Sequence, residues 1–204
     1  MTVRVKICGL TRLEDALCAV RLGADALGFN FWPGSKRHIT PAAARVIIAR
    51  LPPFVTPVGV FVNQLEGEMR AIAAETGIQL FQLHGDEPPE LCARLPLPVV
   101  KAIPVDRVRT LSRLLSYEVS AFLLDTPSRG HGGSGVPFDW SLAEGVSDVA
   151  PVILAGGLDP DNVADAIRAV RPYAVDVASG VESEPGVKSA SKMARFIARA
   201  KETR

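Results

Sequence analysis

The sequence has few cysteines, almost no net charge and no long apolar run, and each absence excludes a class of protein. Its three cysteines, Cys8, Cys18 and Cys92, are an odd number without metal-ligand spacing, which predicts no disulfide framework and favours a reducing cytoplasm. A net charge of +1 over 204 residues predicts no binding of nucleic acid or of an anionic membrane. No apolar run reaches about 18 residues, so no membrane span is expected. The first residues resemble a strand and not a signal peptide.

Short apolar runs rich in β-forming residues alternate with segments of helical spacing along the chain. Eight strands are predicted, at residues 3–7, 26–31, 58–62, 78–83, 99–103, 121–124, 152–154 and 173–177. Between them, helices are predicted from Leu13 to Gly23, from Thr40 onward, and at 65–75, 89–94, 107–116, 160–170 and 189–201, with a weak segment at 141–144. Thr11-Arg12-Leu13-Glu14 fits a capping box, and Thr40-Pro41 fits an N-cap followed by proline.

This alternation predicts parallel strands joined by right-handed crossovers. Two architectures fit, an open doubly wound sheet and a closed (β/α)8 TIM barrel. Eight units favour the barrel, although 204 residues lie at the small end of its range. The G-x-G-x-x-G signature of the open sheet is absent after the first strand. Because no Pro/Gly/Ser linker divides the chain, residues 1–204 are predicted to form a single (β/α)8 barrel domain.

Four polar side chains are expected at or near the carboxyl ends of strands, where barrel enzymes carry their chemistry. They are Cys8, His84, Asp125 and Asp176. Cys8, His84 and Asp125 have structural explanations as well, since free cysteine is usually a small buried hydrophobe and polar residues often begin turns. Their convergence on one rim favours an acid/base site.

Two small-residue loops follow the last two predicted strands. They contain Gly156 and Gly157 in the first, and Ser179 and Gly180 in the second. Barrels commonly bind phosphate at this pair of positions, because glycine lets backbone N–H groups approach an anion. The alternative is two tight turns leading into helices. A third glycine-rich loop, at 130–135, is predicted to be part of a lid that excludes water.

Several motifs carry a family resemblance. They are KICGL (6–10), GADALGF (23–29), SKR (35–37), VGVFV (58–62), QLHG (82–85), LLD (123–125), GGSG (132–135), FDW (138–140), LAGGL (154–158) and DVASGVE (176–182). In these the sequence resembles phosphoribosylanthranilate isomerase, over nearly the whole chain. One departure is Ser189, where the family often has an acidic residue, which leaves only the start of the last helix in question.

The resemblance implies an Amadori rearrangement of N-(5-phosphoribosyl)anthranilate to 1-(2-carboxyphenylamino)-1-deoxyribulose 5-phosphate in tryptophan biosynthesis. It implies that Cys8 is the general base, that Asp125 is the general acid, and that Arg37 holds the anthranilate carboxylate. His84 and Asp176 are expected to orient the sugar hydroxyls, and no metal or organic cofactor is needed. The expected partner is a small phosphosugar, bound by a monomer or a homodimer.

The chemistry is consistent with these residues. An iminium is its own electron sink, and a thiolate is able to accept the sugar C2 proton. Because a free thiol is mostly protonated at neutral pH, Lys6, two residues before Cys8 on the same strand face, is expected to stabilise the thiolate. A planar guanidinium such as that of Arg37 suits a carboxylate, although a solvated basic turn would explain the same residues.

Three other interpretations stay open. One is a different phosphosugar barrel enzyme, either a lyase similar to indole-glycerol-phosphate synthase or a histidine-pathway isomerase. The latter family has an aspartate where this chain has Cys8. The second is a non-catalytic phosphate-binding barrel, which the two candidate proton-transfer groups disfavour. The third is a structural partner subunit.

Overall fold

Eight parallel strands form the centre of the protein in a computed structural model that describes residues 2–105, 114–127, 138–143, 145–148 and 150–203. The strands are β1 (Arg4–Ile7), β2 (Ala26–Asn30), β3 (Thr56–Phe61), β4 (Leu80–Leu83), β5 (Val99–Pro104), β6 (Ala121–Asp125), β7 (Val152–Leu154) and β8 (Ala174–Val177). Each pairs with the next, and β1 pairs with β8, so the sheet is closed. The (β/α)8 barrel prediction is confirmed and the open sheet is excluded.

Helices surround this barrel in the described part of the chain. They are α1 (Leu13–Arg21), α2 (Pro41–Ile48), α3 (Glu66–Thr76), α4 (Pro89–Arg94), α5 (Val163–Val170) and α6 (Ala190–Glu202). Short 3-10 helices cover Trp140–Ala143, Val146–Asp148 and Ser179–Val181, and a two-stranded hairpin joins β9 (Glu182–Glu184) to β10 (Val187–Lys188). No helix among the described residues is both long and apolar enough to cross a membrane.

Two predicted helix starts are confirmed by their caps. The Thr40 side chain accepts a hydrogen bond from the Ala43 N–H, with Pro41 at the first helical position. The Ser189 side chain accepts one from the Lys192 N–H, so serine caps the last helix. Both side chains satisfy backbone donors that the helix itself leaves unpaired.

Three other predictions about helices differ from the structure, and a fourth concerns residues that are mostly outside the described part of the chain. The capping box at Thr11 does not form, because the Thr11 hydroxyl donates to the Gly186 carbonyl 175 residues away. The helix expected from residue 160 begins at Val163, since the Asp159 carboxylate holds the backbone in a turn. The weak segment at 141–144 is replaced by the two 3-10 helices on either side of residue 144. Most of the helix expected at 107–116 lies outside the described residues.

The barrel strands separate two apolar layers, because their side chains alternate in direction. The larger layer packs between strands and helices and includes Phe122 and Leu124 of β6. The smaller one fills the barrel and includes Leu123 and Ala121 of the same strand. Polar residues of the inner set therefore point towards the barrel axis. The side chain of Lys101 points away from the barrel axis, and its ammonium donates a hydrogen bond to the Glu87 carboxylate outside the barrel.

Candidate active site

One cleft of about 350 Å³ opens at the carboxyl ends of the barrel strands. It is lined by eight of the nine residues selected from the sequence: Cys8, Arg37, His84, Asp125, Gly156, Gly157, Asp176 and Ser179. Gly180 packs beside the cleft, where a Cβ atom would overlap the Leu158 carbonyl oxygen. The fold thus brings together residues from opposite ends of the chain.

The thiol of Cys8 is buried beside a buried ion pair. Lys6 Nζ lies 2.9 Å from Asp176 Oδ1, and both side chains are almost fully buried. Burial raises the pKa of the Cys8 thiol; the Lys6 charge lowers it, and the Asp176 charge raises it again. The thiol pKa stays above its ordinary value, so the protonated form dominates at neutral pH. Lys6 therefore lowers the pKa of the thiol, as expected from the sequence, but burial raises this pKa by more.

The absent side chain of Gly28 makes room for this arrangement. A Cβ atom at Gly28 would lie 2.8 Å from Cys8 Sγ and 3.1 Å from Lys6 Nζ. Both distances are shorter than ordinary packing allows. The thiol and the ammonium therefore occupy the space that any larger residue on β2 would fill, a role that the sequence motif alone did not reveal.

Asp125 ends β6 in a hydrogen-bonded position. Its Oδ1 accepts a bond of 2.8 Å from the Thr126 N–H, and its Oδ2 lies 3.1 Å from His84 Nε2. On the other side of the ring, Gln82 Nε2 lies 3.2 Å from His84 Nδ1. With Gln82 donating to Nδ1, the neutral imidazole carries its proton on Nε2 and donates it to Asp125. Gln82 and His84 thus orient the carboxyl group.

The glycine loop after β7 approaches this carboxyl group closely. Gly156 has φ +80°, and a Cβ there would lie 3.0 Å from Asp125 Oδ1 and 2.7 Å from the Thr126 nitrogen. The carbonyl of Gly157, at φ +63°, accepts a hydrogen bond of 2.9 Å from Asn162 Nδ2. This conformation favours glycine, since a side chain would be strained at positive φ. The backbone is therefore exposed to the cleft in the place predicted for phosphate.

Arg37 has a partner that the sequence did not predict. Its Nε donates to Glu182 Oε1 at 2.7 Å, and its Nη2 donates to Glu182 Oε2 at 2.8 Å. Lys188 Nζ donates to the same Oε1 at 2.8 Å. Burial alone would raise the pKa of Glu182, but the bonds and charges of Arg37 and Lys188 outweigh it, so this pKa lies below its ordinary value. One edge of the guanidinium is therefore already committed to a protein carboxylate.

Further lining residues were not selected from the sequence. They are Gly9, Asn30, Trp32, Gly34, Ser35, Lys36, Val60, Val62, Gln82, Ala155, Leu158, Val177, Ala178 and Pro185. Strand parity would have indicated Asn30, which lies two residues after Gly28 on the inner side of β2. The predicted lid at 130–135 lies outside the described residues. Within the part that the structure describes, no three His, Cys, Asp or Glu side chains are grouped as a metal site.

Comparison with known proteins identifies a family that matches this chain. A family model described as N-(5'phosphoribosyl)anthranilate (PRA) isomerase matches residues 5–199. The N-(5'-phosphoribosyl)anthranilate isomerase of Geobacter metallireducens is 54% identical over 200 residues, which cover 98% of this chain and 99% of the relative.

Two solved structures are similar over the same length. One is phosphoribosyl anthranilate isomerase in complex with reduced 1-(o-carboxyphenylamino)-1-deoxyribulose 5-phosphate, with TM-score 0.89, 48% identity and coverage of 98% of each chain. The other shows generated monomers of dimeric phosphoribosylanthranilate isomerase from Thermotoga maritima, with TM-score 0.88, 46% identity and the same coverage. This chain therefore belongs to the family of N-(5'-phosphoribosyl)anthranilate isomerases.

Proposed function

We propose that the protein converts N-(5'-phosphoribosyl)anthranilate to the aminoketose 1-(2-carboxyphenylamino)-1-deoxyribulose 5-phosphate in tryptophan biosynthesis. The observation that carries the proposal is that the Cys8 thiol of β1 and the Asp125 carboxyl of β6 line one cleft. An aldose–ketose isomerisation needs one group to donate a proton and another to remove one. The reduced aminoketose bound to a relative is the same chemical class of ligand.

In the first step, protonated Asp125 donates its proton to the ring oxygen of the ribose. The bond from C1 to this oxygen breaks, and the lone pair of the amine nitrogen forms the C1=N bond of an iminium. The hydrogen bonds from His84 and Thr126 hold the carboxyl group in one orientation. A positioned acid of this kind contributes roughly 10² to 10⁴ in rate.

In the second step, the Cys8 thiolate removes the proton on C2. The electron pair moves into the iminium and forms an enolamine, whose tautomer is the aminoketose. Lys6 stabilises the thiolate, and Asp176 opposes this effect because its own negative charge repels the thiolate. Only the deprotonated fraction of the thiol is active, since the protonated form has no lone pair of sufficient basicity.

The remaining residues are proposed to bind the substrate. The loops of Gly156 and Gly157 and of Ser179 and Gly180 are proposed to hold the phosphate, because their exposed backbone suits an oxyanion. Arg37 is proposed to bind the anthranilate carboxylate through the guanidinium edge that Glu182 does not occupy. His84 and Asp176 are proposed to orient the sugar hydroxyls.

The whole chain, residues 1–204, is proposed to be one barrel domain located in the cytoplasm, in keeping with the free thiols of its three cysteines. It is proposed to work without an organic cofactor, as a monomer or a homodimer. A relative from Thermotoga maritima is described as dimeric. Light scattering coupled to size-exclusion chromatography distinguishes the two assemblies by mass.

The function is tested with freshly made phosphoribosylanthranilate, which fluoresces, whereas its ketose product does not. The wild-type protein is expected to remove the fluorescence, and Cys8→Ser and Asp125→Asn to abolish that loss. Matched controls are Cys18→Ser on α1 and Asp165→Asn on α5, which lie outside the cleft and are expected to leave the rate unchanged. Wild-type protein that binds the product analogue without consuming the substrate would identify a phosphate-binding barrel instead.

A further inference from the structure

We propose that Glu182 is a positioning residue for Arg37: it holds the side edge of the guanidinium so that the end-on edge is presented to a carboxylate in the cleft. This inference rests on the proposed function, because it assumes that Arg37 binds the carboxylate of the substrate. Glu182 itself does not line the cleft, whereas Arg37 does. Its effect therefore has to pass through Arg37.

The geometry of the pair is bidentate and side-on. The two bonds, 2.7 Å from Nε to Oε1 and 2.8 Å from Nη2 to Oε2, use one N–H from each nitrogen. A guanidinium has five N–H groups, so both N–H groups of Nη1 and the second of Nη2 are left for a ligand. The remaining N–H of Nη2 and one N–H of Nη1 form the end-on edge, which also matches the two oxygens of a carboxylate. Glu182 thus orients Arg37 without using the edge that a substrate needs.

The carboxylate of Glu182 is itself held in place by hydrogen bonds from groups other than Arg37. Its side chain is only 6% exposed, and Lys188 Nζ, which is fully buried, donates to both Glu182 Oε1 and the Ala178 carbonyl. The Gly186 N–H also donates to Oε1, at 3.4 Å. Because one negative charge is shared by two cations, Glu182 does not fully neutralise Arg37. Arg37 therefore keeps positive charge for an anionic ligand.

The surrounding backbone is shaped to place this cluster beside the thiol. Glu182 and Lys188 are register partners in the β9–β10 hairpin, which directly follows β8 and the 3-10 helix at Ser179–Val181. On the other side, a Cβ atom at Gly9 would overlap the Arg37 side chain, and Gly9 has φ +72°. The stem of Arg37 therefore lies against the backbone next to Cys8. The hairpin and the KICG turn together confine the arginine.

If Glu182 positions Arg37, removing its charge is expected to weaken the binding of ligands that carry a carboxylate and of no others. A Glu182→Gln variant keeps the shape of the side chain but removes its charge and places an amide donor against the guanidinium donors. Charge-assisted hydrogen bonds of this kind correspond to roughly 10-fold to 100-fold in an equilibrium constant. We expect Glu182→Gln to weaken binding of reduced 1-(2-carboxyphenylamino)-1-deoxyribulose 5-phosphate by that factor.

The experiment is isothermal titration calorimetry with two ligands, the reduced aminoketose and its phenylamino counterpart without the carboxylate. For Glu182→Gln, the first ligand is expected to bind more weakly and the second as it binds to wild type. Glu182→Asp, which keeps the charge, is expected to recover part of the affinity. Glu184→Gln, at an exposed residue of the same strand, is the matched control and is expected to behave as wild type.

A double-mutant cycle with Arg37→Ala separates positioning from a general structural effect. In the Arg37→Ala background, Glu182→Gln is expected to cause no further loss of affinity for the carboxylate ligand. A further loss there, an equal loss for both ligands, or no loss in the single variant would overturn the proposal. These titrations need no turnover. A failure of the proposed function would appear in the fluorescence assay and a failure of this inference in the calorimetry, so the two outcomes are distinguishable.

Discussion

Lys6 Nζ lies 2.9 Å from Asp176 Oδ1, and the two residues are register partners on β1 and β8, the strands that close the barrel. The pair is therefore both a part of barrel closure and the immediate electrostatic environment of Cys8. Burial lowers the pKa of Lys6, but the Asp176 and Cys8 charges outweigh it, and the pKa of the ammonium lies above its ordinary value. These charges therefore favour the charged form of Lys6.

The rate is expected to depend on pH through Cys8. A general base is active when deprotonated, and burial raises the pKa of the thiol, so the active thiolate fraction is expected to increase as pH rises through neutrality and to level off above the thiol pKa. The value of kcat/KM follows this increase only while the proposed acid, Asp125, keeps its proton. Lys6→Met removes the cation that lowers this pKa and is expected to move the rise to higher pH. The pH–rate profile and the ultraviolet absorbance of the thiolate both measure the shift. A thiol titration identical to that of wild type would contradict the role of Lys6.

A side chain at Gly28 is expected to damage the site directly. In Gly28→Ala, the new methyl group lies within 3.1 Å of Cys8 Sγ and Lys6 Nζ, and overpacking of this kind costs about 1–3 kcal/mol. We expect lower stability in urea and a reduced kcat. The control is Gly67→Ala in α3, where the new methyl group meets no atom within 4 Å apart from its chain neighbours and the backbone of its own helix. There we expect equal or greater stability, because alanine favours a helix by about 0.5–1 kcal/mol.

Loss of His84 is expected to lower kcat more than it raises KM. The ring connects Gln82 to the Asp125 carboxyl group, so His84→Ala is expected to leave the proposed acid less well oriented. A hydrogen bond to an ionisable group is worth about 1.5–3 kcal/mol, which predicts a decrease of roughly 10-fold to 100-fold. Steady-state kinetics measure it, with His38→Ala as the exposed control. An unchanged kcat would show that Asp125 keeps its orientation without the ring.

The ion pair of Lys101 and Glu87 outside the barrel is expected to contribute to the stability of the fold and not to catalysis. Their charged atoms are 2.8 Å apart, and their side chains are only 2% and 1% exposed. Lys101→Met leaves the Glu87 charge buried and is expected to lower the free energy of unfolding by about 3–5 kcal/mol. Lys101→Met with Glu87→Gln is expected to be less destabilising than Lys101→Met alone. Denaturant melts measure both.

A surface pair provides the comparison for that experiment. Arg168 and Asp165 on α5 form an ion pair with side chains 58% and 67% exposed. Removing it with Arg168→Met is expected to change the free energy of unfolding by about 1 kcal/mol or less, since exposed pairs are hydrated and screened. Equal effects for the buried and the exposed pair would contradict the importance of desolvation at Lys101.

The sequence by itself determined the architecture and indicated the candidate groups for proton transfer. Eight alternations of strand and helix indicated the barrel, and the two-residue period of strands placed Lys6 and Cys8 on one face. Local signals also determined the caps at Thr40 and Ser189. These features are local, because periodicity and capping depend on residues only a few positions apart.

Only the tertiary structure decided which distant groups meet. Thr11 fits a capping box in the sequence, yet its hydroxyl binds Gly186, and the fork of Arg37 binds Glu182, 145 residues away. Gly28 looks like an ordinary strand residue until the strands close and its missing side chain leaves space for a thiol and an ammonium. Such contacts form only when the barrel closes. The type of a residue and its spacing from its neighbours in the sequence do not predict which distant residue it will contact.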